Sequence, residues 1–499
     1  MLDLNTPTFA TVGAVNHGKS SVVSTLAEND QVRISAMPGE TVECQRFSLR
    51  DLFVFYDTPG FQNAPDTLRE VQPAERAPEP LRLFRDFIAR HRGQAEFDAE
   101  CRLFAPIVEG AGVIYVVDGS RPVLDINAAE MEILRLTGRP RLAIINRSST
   151  DDHVQEWKRR LGLHFNAVRE FNAHSATFAD RIELLDTLAG IEQTWQAKLR
   201  QAVALLREEW NARLGECAEI IVEMLCECLR HRETAAAPGD AGARRAALGE
   251  ELKSRYMRAV STLEARAHAR IIELFGHSLV KAEANTEHLS DLFSDETWEI
   301  FGLDSRQLLG AATIGGGAAG AAVGVKVEVA TGGGLFGLAT TIGTLTGTLL
   351  GAGTAYVVGK QRPELSVSMP RILSRLPKGL SDLLPGKFRV GGSALAVGPY
   401  AAPNFPWILL DRAIGTFSYV INRAHARRDE ATLRSAELKS RLEAHRLTSA
   451  QWSDEPRKAC EKFFAAIRNG KLTRERREIL RALLHKRLTE VSALRIDFG

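Results

Sequence analysis

Fourteen residues near the N-terminus, Thr8 to Ser21 (TFATVGAVNHGKSS), constrain the fold more than any other stretch of the chain. Thr8 to Val12 is rich in β-branched and aromatic residues and reads as a strand. Gly13 to Ser20 then fits G-x-x-x-x-G-K-[ST], and Val22, Val23 and Leu26 follow at helical spacing. A strand, a glycine loop and a helix in that order form a phosphate cradle. The glycines let backbone N–H groups curl around phosphate, and the helix N-terminus adds partial positive charge. Lys19 is placed to reach the β- and γ-phosphates, and the Ser20 hydroxyl to ligate Mg²⁺. Gly13, Asn16, His17, Gly18, Lys19, Ser20 and Ser21 are the expected nucleotide-binding residues of the loop. For His17, loop packing is a better reading than general-base work.

The next 150 residues supply the rest of an α/β domain. Gln31 to Thr41 lacks periodicity and carries Pro38-Gly39, so it reads as a loop. Thr41 sits where a switch threonine closes over the γ-phosphate and Mg²⁺. Cys44 to Leu49 and Leu52 to Tyr56 alternate apolar residues around Arg50-Asp51, which is a hairpin signal. The second run delivers Asp57-Thr58-Pro59-Gly60. Asp57, at the end of a buried strand, suits holding Mg²⁺ through water, and Gly60 can offer its N–H to the γ-phosphate. D-x-x-G is weak alone and strong at a strand end downstream of such a loop. Residues 62–110 read as a polar, helical insertion. Gly112 to Val117 and Arg141 to Asn146 are near-continuous apolar runs, as in parallel strands buried on both faces. Val168 to Asn172 reads as the last strand, followed by His174-Ser175-Ala176. The expected fold is a doubly wound α/β P-loop NTPase with a mostly parallel sheet, binding its ligand at the carboxyl ends of the strands.

Residues 6–190 resemble a small GTPase domain of the translation-factor-related class, nearest the Era-like branch. Gly13 to Ser20 matches its phosphate loop, Thr41 its switch threonine, and Asp57 to Gly60 its second switch. Asn146-Arg147 stands where the base-reading N-K-x-D begins, and Ser175-Ala176 where the S-A-K loop begins. The resemblance implies GTP as substrate and Mg²⁺ as cofactor. It implies Lys19, Thr41 and Gly60 as catalytic residues, with Ser20, Thr41 and Asp57 around the metal. Asn146, Arg147, Ser175 and Ala176 would hold the base. Two departures stand out. Arg147 replaces the lysine, and Ser149 replaces the aspartate that reads guanine; Asp151 or Asp152 can substitute only in a reshaped loop. Phe61 follows Gly60, where Ras-like enzymes keep a water-orienting glutamine near this point. Era-like proteins share this feature, which implies slow intrinsic turnover and help from a dimer partner, another activating protein or K⁺. Asn16 either resembles the potassium-binding asparagine of some of these enzymes or only braces the loop.

From Ile182 the periodicity becomes helical. Leu185 through Cys228 recur every three to four residues and predict one long amphipathic helix. Thr234 to Ala243 breaks it, and Leu248 to Leu274 predicts a second helix, together an antiparallel hairpin over 191–300. Residues 301–360 contain the stretch 310–359, half of it glycine or alanine, with two G-x-x-x-G-x-x-x-G patterns. Uncharged runs of this length favour a hairpin contacting membrane lipid, while a buried hairpin or a flexible segment stays open. Residues 361–499 read as mixed and mainly helical. Lys387 to Val397 predicts a short strand pair, and Trp407 to Asn422 an apolar helix ending in the basic Arg423 to Arg428. Charged helices then follow over Leu433 to Leu447 and Lys458 to Val491. The glycine-rich stretch, Gly398-Pro399 and the run Asn404 to Arg428 are similar to bacterial proteins that join an Era-like GTPase domain to domain of unknown function 3482. That resemblance implies an architecture and a bacterial origin, and brings no cellular role.

Composition narrows the partners. Lys and Arg total 64 against 62 Asp and Glu, a net charge of +2, which gives no argument for nucleic acid. Six cysteines in 499 residues do not make a disulfide scaffold, and Cys226-x-Cys228 lacks the second pair that zinc requires. No basic segment precedes an apolar run at the N-terminus, so a cytoplasmic setting is expected, with the inner face of the membrane as a site of association. These features predict a GTP-binding and GTP-hydrolysing switch that drives a helical effector region. A ribosome or RNA assembly GTPase, and a nucleotide-binding scaffold with little turnover, remain as alternatives.

Overall fold

All seven residues of strand β4 (Gly112–Asp118) are buried, and they divide alternately between two cores. Val113, Tyr115 and Val117 face one side of the sheet, and Ile114 and Val116 face the other. Side chains alternate across a strand, so an unbroken apolar run belongs to a strand covered on both faces. The computed structural model describes residues 6–14, 17–27, 44–49, 52–72, 79–146, 153–173, 176–236, 242–275, 292–294, 297, 301–303, 394–400, 402–422, 445 and 448–494. Two compact units divide the chain. One is Met1–Asn211 with Ile421–Glu430, and the other is Ala212–Val420 with Ala431–Gly499.

The first unit is built on a six-stranded sheet. Its strands are β1 (Thr8–Val12), β2 (Gln45–Leu49), β3 (Phe53–Asp57), β4, β5 (Arg141–Asn146) and β6 (Ala167–Glu170). Their order is β2-β3-β1-β4-β5-β6, with β2 antiparallel at one edge and the other pairings parallel. Helices α1 (Lys19–Ala27) and α7 (Phe178–Ile191) cover the face of Phe9, Phe55 and Val116. The opposite face carries α2 (Ala64–Val71), α3 (Pro80–His91), α4 (Asp98–Val108), α5 (Asp125–Leu136) and α6 (Val154–Leu161). The stretch read as a polar insertion supplies much of this second core. Phe84, Phe87 and Phe97 gather with Phe104, and the Phe84–Phe104 rings pack edge to face at 4.9 Å.

The helix expected to run unbroken from Ile182 is interrupted. Glu192 is extended (φ −132°, ψ 118°), and its side chain accepts a hydrogen bond from Thr194 N. The break turns Trp195 into the sheet, where its ring meets Phe9 edge to face at 5.0 Å. Gly112 makes room for it: a Cβ there would lie 2.4 Å from the indole. Helix α8 (Gln196–Arg230) starts after this turn, and its Leu199, Val203 and Leu206 join the first unit's core.

In the second unit, the ion pairs Arg266–Glu227 and Arg270–Glu223 climb α9 (Gly242–Leu274) as they descend α8, the order of an antiparallel pair. Strand β7 (Glu233–Ala236) leaves the end of α8 and pairs antiparallel with β8 (Ala394–Val397). Of the stretch 387–397, expected to form a short strand pair, only 394–397 falls within the described residues, and it pairs with β7 across about 160 positions. Helix α10 (Phe405–Asn422) is buried along most of its length. Its Arg412 clamps Glu264 of α9 with Nε and Nη2 at 2.6 and 3.0 Å. Burial pushes the Glu264 carboxyl up, but the guanidinium outweighs this and holds it below its ordinary range. Neighbouring Asp411 accepts from Ser449 N, Ser449 Oγ and Gly302 N. The C-terminal helical stretch is two helices, α11 (Asp454–Arg468) and α12 (Arg474–Ser492), because Gly470 turns the chain at φ 65°.

No helix among the described residues is long and apolar enough to cross a membrane. The glycine-rich stretch 310–359, the basic cluster Arg423 to Arg428 and, except for residue 445, the helix expected over Leu433 to Leu447 lie outside the described residues.

The Glu264–Arg412 pair generates a prediction. Arg412→Ala should cost about 3–5 kcal/mol of unfolding free energy, because it strands a buried carboxylate. The double change Glu264→Leu with Arg412→Met should cost far less. Chemical denaturation of the three proteins distinguishes the cases.

Candidate functional site

The phosphate loop lies directly on the backbone of the sheet. Gly13 has φ 145°, and a Cβ there would sit 2.3 Å from the Val116 carbonyl oxygen. Gly18 has φ 85°, and its Cβ would sit 2.3 Å from Asn146 Nδ2. Both positions therefore demand glycine, for conformation and for space. The loop ends in α1, which begins at Lys19 and brings its free N–H groups to the carboxyl ends of β1 and β4.

Lys19 is buried and donates from Nζ to Ala14 O at 2.9 Å, folding its ammonium back along the loop. Burial pushes its pKa down, opposed by the carboxylates of Asp57 and Glu130. Ser20 Oγ donates to Asp57 Oδ2 at 2.7 Å. Burial raises the Asp57 carboxyl, opposed by the Ser20 hydroxyl and Lys19. Asp57 Oδ1 is buried with no hydrogen-bond partner among the described residues. The Ser20 hydroxyl and the Asp57 carboxylate, one of whose oxygens has no partner among the described residues, are hard oxygen donors of the kind Mg²⁺ takes. The residues present fit that ion.

The chain after Asp57 is stitched to the loop. Thr58 Oγ1 donates to Thr11 O at 2.7 Å, and Phe61 N donates to Gly13 O at 3.2 Å. Phe61 is buried against Phe104. Gly60 is buried between these two attachments. Cys44, at the start of the β2 edge, has its thiol pushed up to about 11 by burial and by Asp57 and Glu109.

Asn146, at the end of β5, joins two loops. Its Nδ2 donates to His17 O at 3.4 Å, and its Oδ1 accepts from Ala173 N at 3.2 Å. Ala176 is buried close by in sequence, and Thr177 caps α7, its Oγ1 accepting from Asp180 N. Ser21 is buried in the first turn of α1. Asn16, Thr41, Arg147 and Ser175 lie outside the described residues, as do Ser149, Asp151 and Asp152. The described site therefore brings together Gly13, His17, Gly18, Lys19, Ser20, Ser21, Asp57, Gly60 and Asn146 on the carboxyl side of the sheet, while Ala176 is buried in the core on the face of α1 and α7.

Three buried acids around the site carry no motif. Asp118 ends β4, and its Oδ1 accepts from Ser120 N and Oγ while Arg121 pairs with its Oδ2. Glu130 of α5 accepts from Tyr115 OH at 2.5 Å, and its carboxyl is raised by burial. Glu100 of α4 accepts from Gln62 N and Asn63 N. The only sequence signal for these three is an acidic residue at a position otherwise fit for the core.

The chain's similarities follow this geometry. Residues 158–485 match the family described as "Domain of unknown function (DUF3482)". The chain belongs to the DUF3482 family. Ahead of that region, residues 8–147 match the family described as "50S ribosome-binding GTPase". This DUF3482 protein thus carries a P-loop GTPase domain of the Era/EngB-like kind in front of its family region. It is similar to the "Probable GTP-binding protein EngB" of Dechloromonas aromatica, with 26% identity over 192 residues, 37% of this chain and 73% of the relative. The protein of the same name from Halothermothrix orenii is 39% identical over 69 residues, 13% of this chain and 35% of the relative. That from Rickettsia felis is 34% identical over 100 residues, 18% of this chain and 47% of the relative. The chain thus spans about half or less of the length of the last two. A crystal structure of an Aquifex aeolicus Era variant bound to GDP·AlF4⁻ overlaps 47% of this chain and 74% of its own, at 15% identity and a TM-score of 0.26.

Two outcomes follow from the loop. Gly13→Ala should destabilise the first unit by at least about 1–3 kcal/mol, the scale of backbone strain before the clash with the Val116 carbonyl is added, read as a lower melting transition. His17 supplies a pH dependence. Burial and the nearby Lys19 ammonium lower its pKa to about 4, against the pull of Asp118. The unfolded chain gains this proton below about pH 6.5, and the folded chain only near 4. The stability contribution is thus complete above about 6.5 and falls by up to about 3 kcal/mol as pH drops to 4. His17→Asn should remove that share of the acid sensitivity in paired unfolding titrations.

Proposed function

We propose that the first unit binds GTP with Mg²⁺, hydrolyses it slowly, and passes the change of nucleotide state to the helical DUF3482 region. The observation that carries this reading is the joined pair of elements at the loop. Lys19 lies buried over a backbone that requires glycine at 13 and 18, and Ser20 bonds Asp57 across the gap between α1 and β3. The match to a GTPase family supports guanine nucleotide as the ligand.

Lys19 exchanges its bond to Ala14 O for the β- and γ-phosphate oxygens. The N–H groups of the loop and of the first turn of α1 complete the cradle. Ser20 and Asp57, with Thr41 from the first switch, would hold Mg²⁺, and the ion would supply charge neutralisation at the phosphates. Gly60 offers its N–H to the γ-phosphate, and water attacks the γ-phosphorus in line as the bond to the β–γ bridging oxygen breaks, leaving GDP and inorganic phosphate. Asn146 fixes the edge of the base pocket, and Arg147, Ser175 and Ala176 complete it. Loss of the γ-phosphate releases the Thr41 and Gly60 segments.

Slow turnover follows from Phe61. Its ring packs in the core against Phe104, so it presents no polar group to an attacking water. Activation therefore comes from outside this segment, and K⁺ at Asn16 or a second protein supplies it.

Lys19→Ala should weaken nucleotide binding by about a hundredfold or more, the scale of losing a charge-assisted contact to phosphate. Fluorescent GTP, GDP and ATP titrations on the full chain read this directly. Turnover in K⁺ against Na⁺, with and without anionic liposomes, then separates ion, lipid and basal contributions. Equal affinity for GTP and ATP would reduce the reading to a P-loop NTPase. Unchanged binding in Lys19→Ala would remove it.

A further inference from the structure

Glu100 stands behind the second switch. It lies on α4, is fully buried, and has no place in the phosphate or base motifs. Its Oε1 accepts two backbone hydrogen bonds, from Gln62 N at 2.8 Å and Asn63 N at 2.7 Å. Its Oε2 is buried with no partner among the described residues. The two donors are the second and third residues after Gly60. They also open α2, whose cap residue Asn63 makes no side-chain capping bond of its own. One carboxylate on a neighbouring helix thus bonds the N-cap amide, as the N3 acid of a capping box does from within its own helix.

The segment is gripped from both sides. Phe61 N donates to Gly13 O, and the next two amides donate to Glu100. Helix α4 is itself anchored to the sheet by Leu103, Phe104 and Ile107. A charged acceptor shared by two amides is stronger than a neutral one and is shielded from water here. The chain immediately after Gly60 therefore has little freedom. A backbone amide held in place before its ligand arrives loses less entropy on binding.

We propose that Glu100 is a positioning residue for the γ-phosphate: by fixing Gln62 and Asn63 to α4, it holds the Gly60 N–H ready for the terminal phosphate. This rests on the reading that Gly60 meets that phosphate. Glu100 touches neither nucleotide nor metal. Its effect belongs to a contact that GTP makes and GDP lacks, so it acts on discrimination between the two rather than on nucleotide binding as a whole.

The test compares wild type, Glu100→Gln and Glu100→Ala as full chains, using a non-hydrolysable GTP analogue and GDP. Removing the carboxylate should narrow the ratio of analogue to GDP affinity by about tenfold, while GDP affinity stays within about twofold. Glu100→Gln keeps one carbonyl acceptor and should restore part of the ratio. Hydrogen exchange of the peptide spanning residues 57–63 gives a second readout that does not depend on the alanine variant folding. In Glu100→Gln this peptide should exchange faster than in wild type when the analogue is bound, with peptides of α1 unchanged. Equal loss for both nucleotides would make Glu100 a structural residue and overturn the proposal, as would an unchanged ratio in a folded variant. A wild type that binds both nucleotides without preferring the analogue would sink the proposal and spare nucleotide binding. A wild type that binds neither would sink the GTPase reading as well.

Discussion

The phosphate loop passes so close to strand β4 that Gly13 leaves no room for even a methyl group against the Val116 carbonyl. Everything at the site depends on that contact. The loop has to pass over β4 to reach α1, and β4 has to be central for the loop to sit at the middle of the sheet's carboxyl edge. A central strand has to be apolar on both faces, which the run Gly112 to Val117 supplies. Helices on both faces then follow, and with them two cores of alternating side chains. The site's backbone geometry and the sheet's burial pattern are therefore one constraint expressed twice.

The local parts of this arrangement were legible in the sequence because their signals are local. The glycines of the loop, the buried strand runs and the Asp57 to Gly60 turn each announce themselves within about eight residues. The break at Glu192 did not, because the apolar spacing runs straight through it. What ends the helix there is Trp195 finding a place beside Gly112 and Phe9, more than 80 positions away. The β7–β8 pair was hidden for the same reason, since its strands are four residues each and about 160 apart. Short strands carry too little periodicity to name their partner.

Buried acids mark the other limit. Glu100, Glu130 and Asp118 sit in runs that otherwise read as core or as loop, and no spacing rule distinguishes them from solvated charges. Each is tolerated because donors were already waiting. Two orphan amides at the start of α2 meet Glu100, a tyrosine hydroxyl meets Glu130, and a serine and an arginine meet Asp118. A buried charge without partners would cost several kcal/mol or more, so its survival in a core is itself a sign of what surrounds it. The second unit repeats the logic with Glu264 and Arg412, and with Asp411 and its three donors.

Phe61 shows how these demands meet at one residue. Its backbone N–H ties the second switch to Gly13, and its ring joins Phe104 and the aromatic block of α3 and α4. A polar side chain at this position would leave the aromatic block with a gap or an unpaired group. A backbone tie on one side and ring packing on the other thus fix a single residue, and through it the chain after Asp57 is held both to the loop and to the second core.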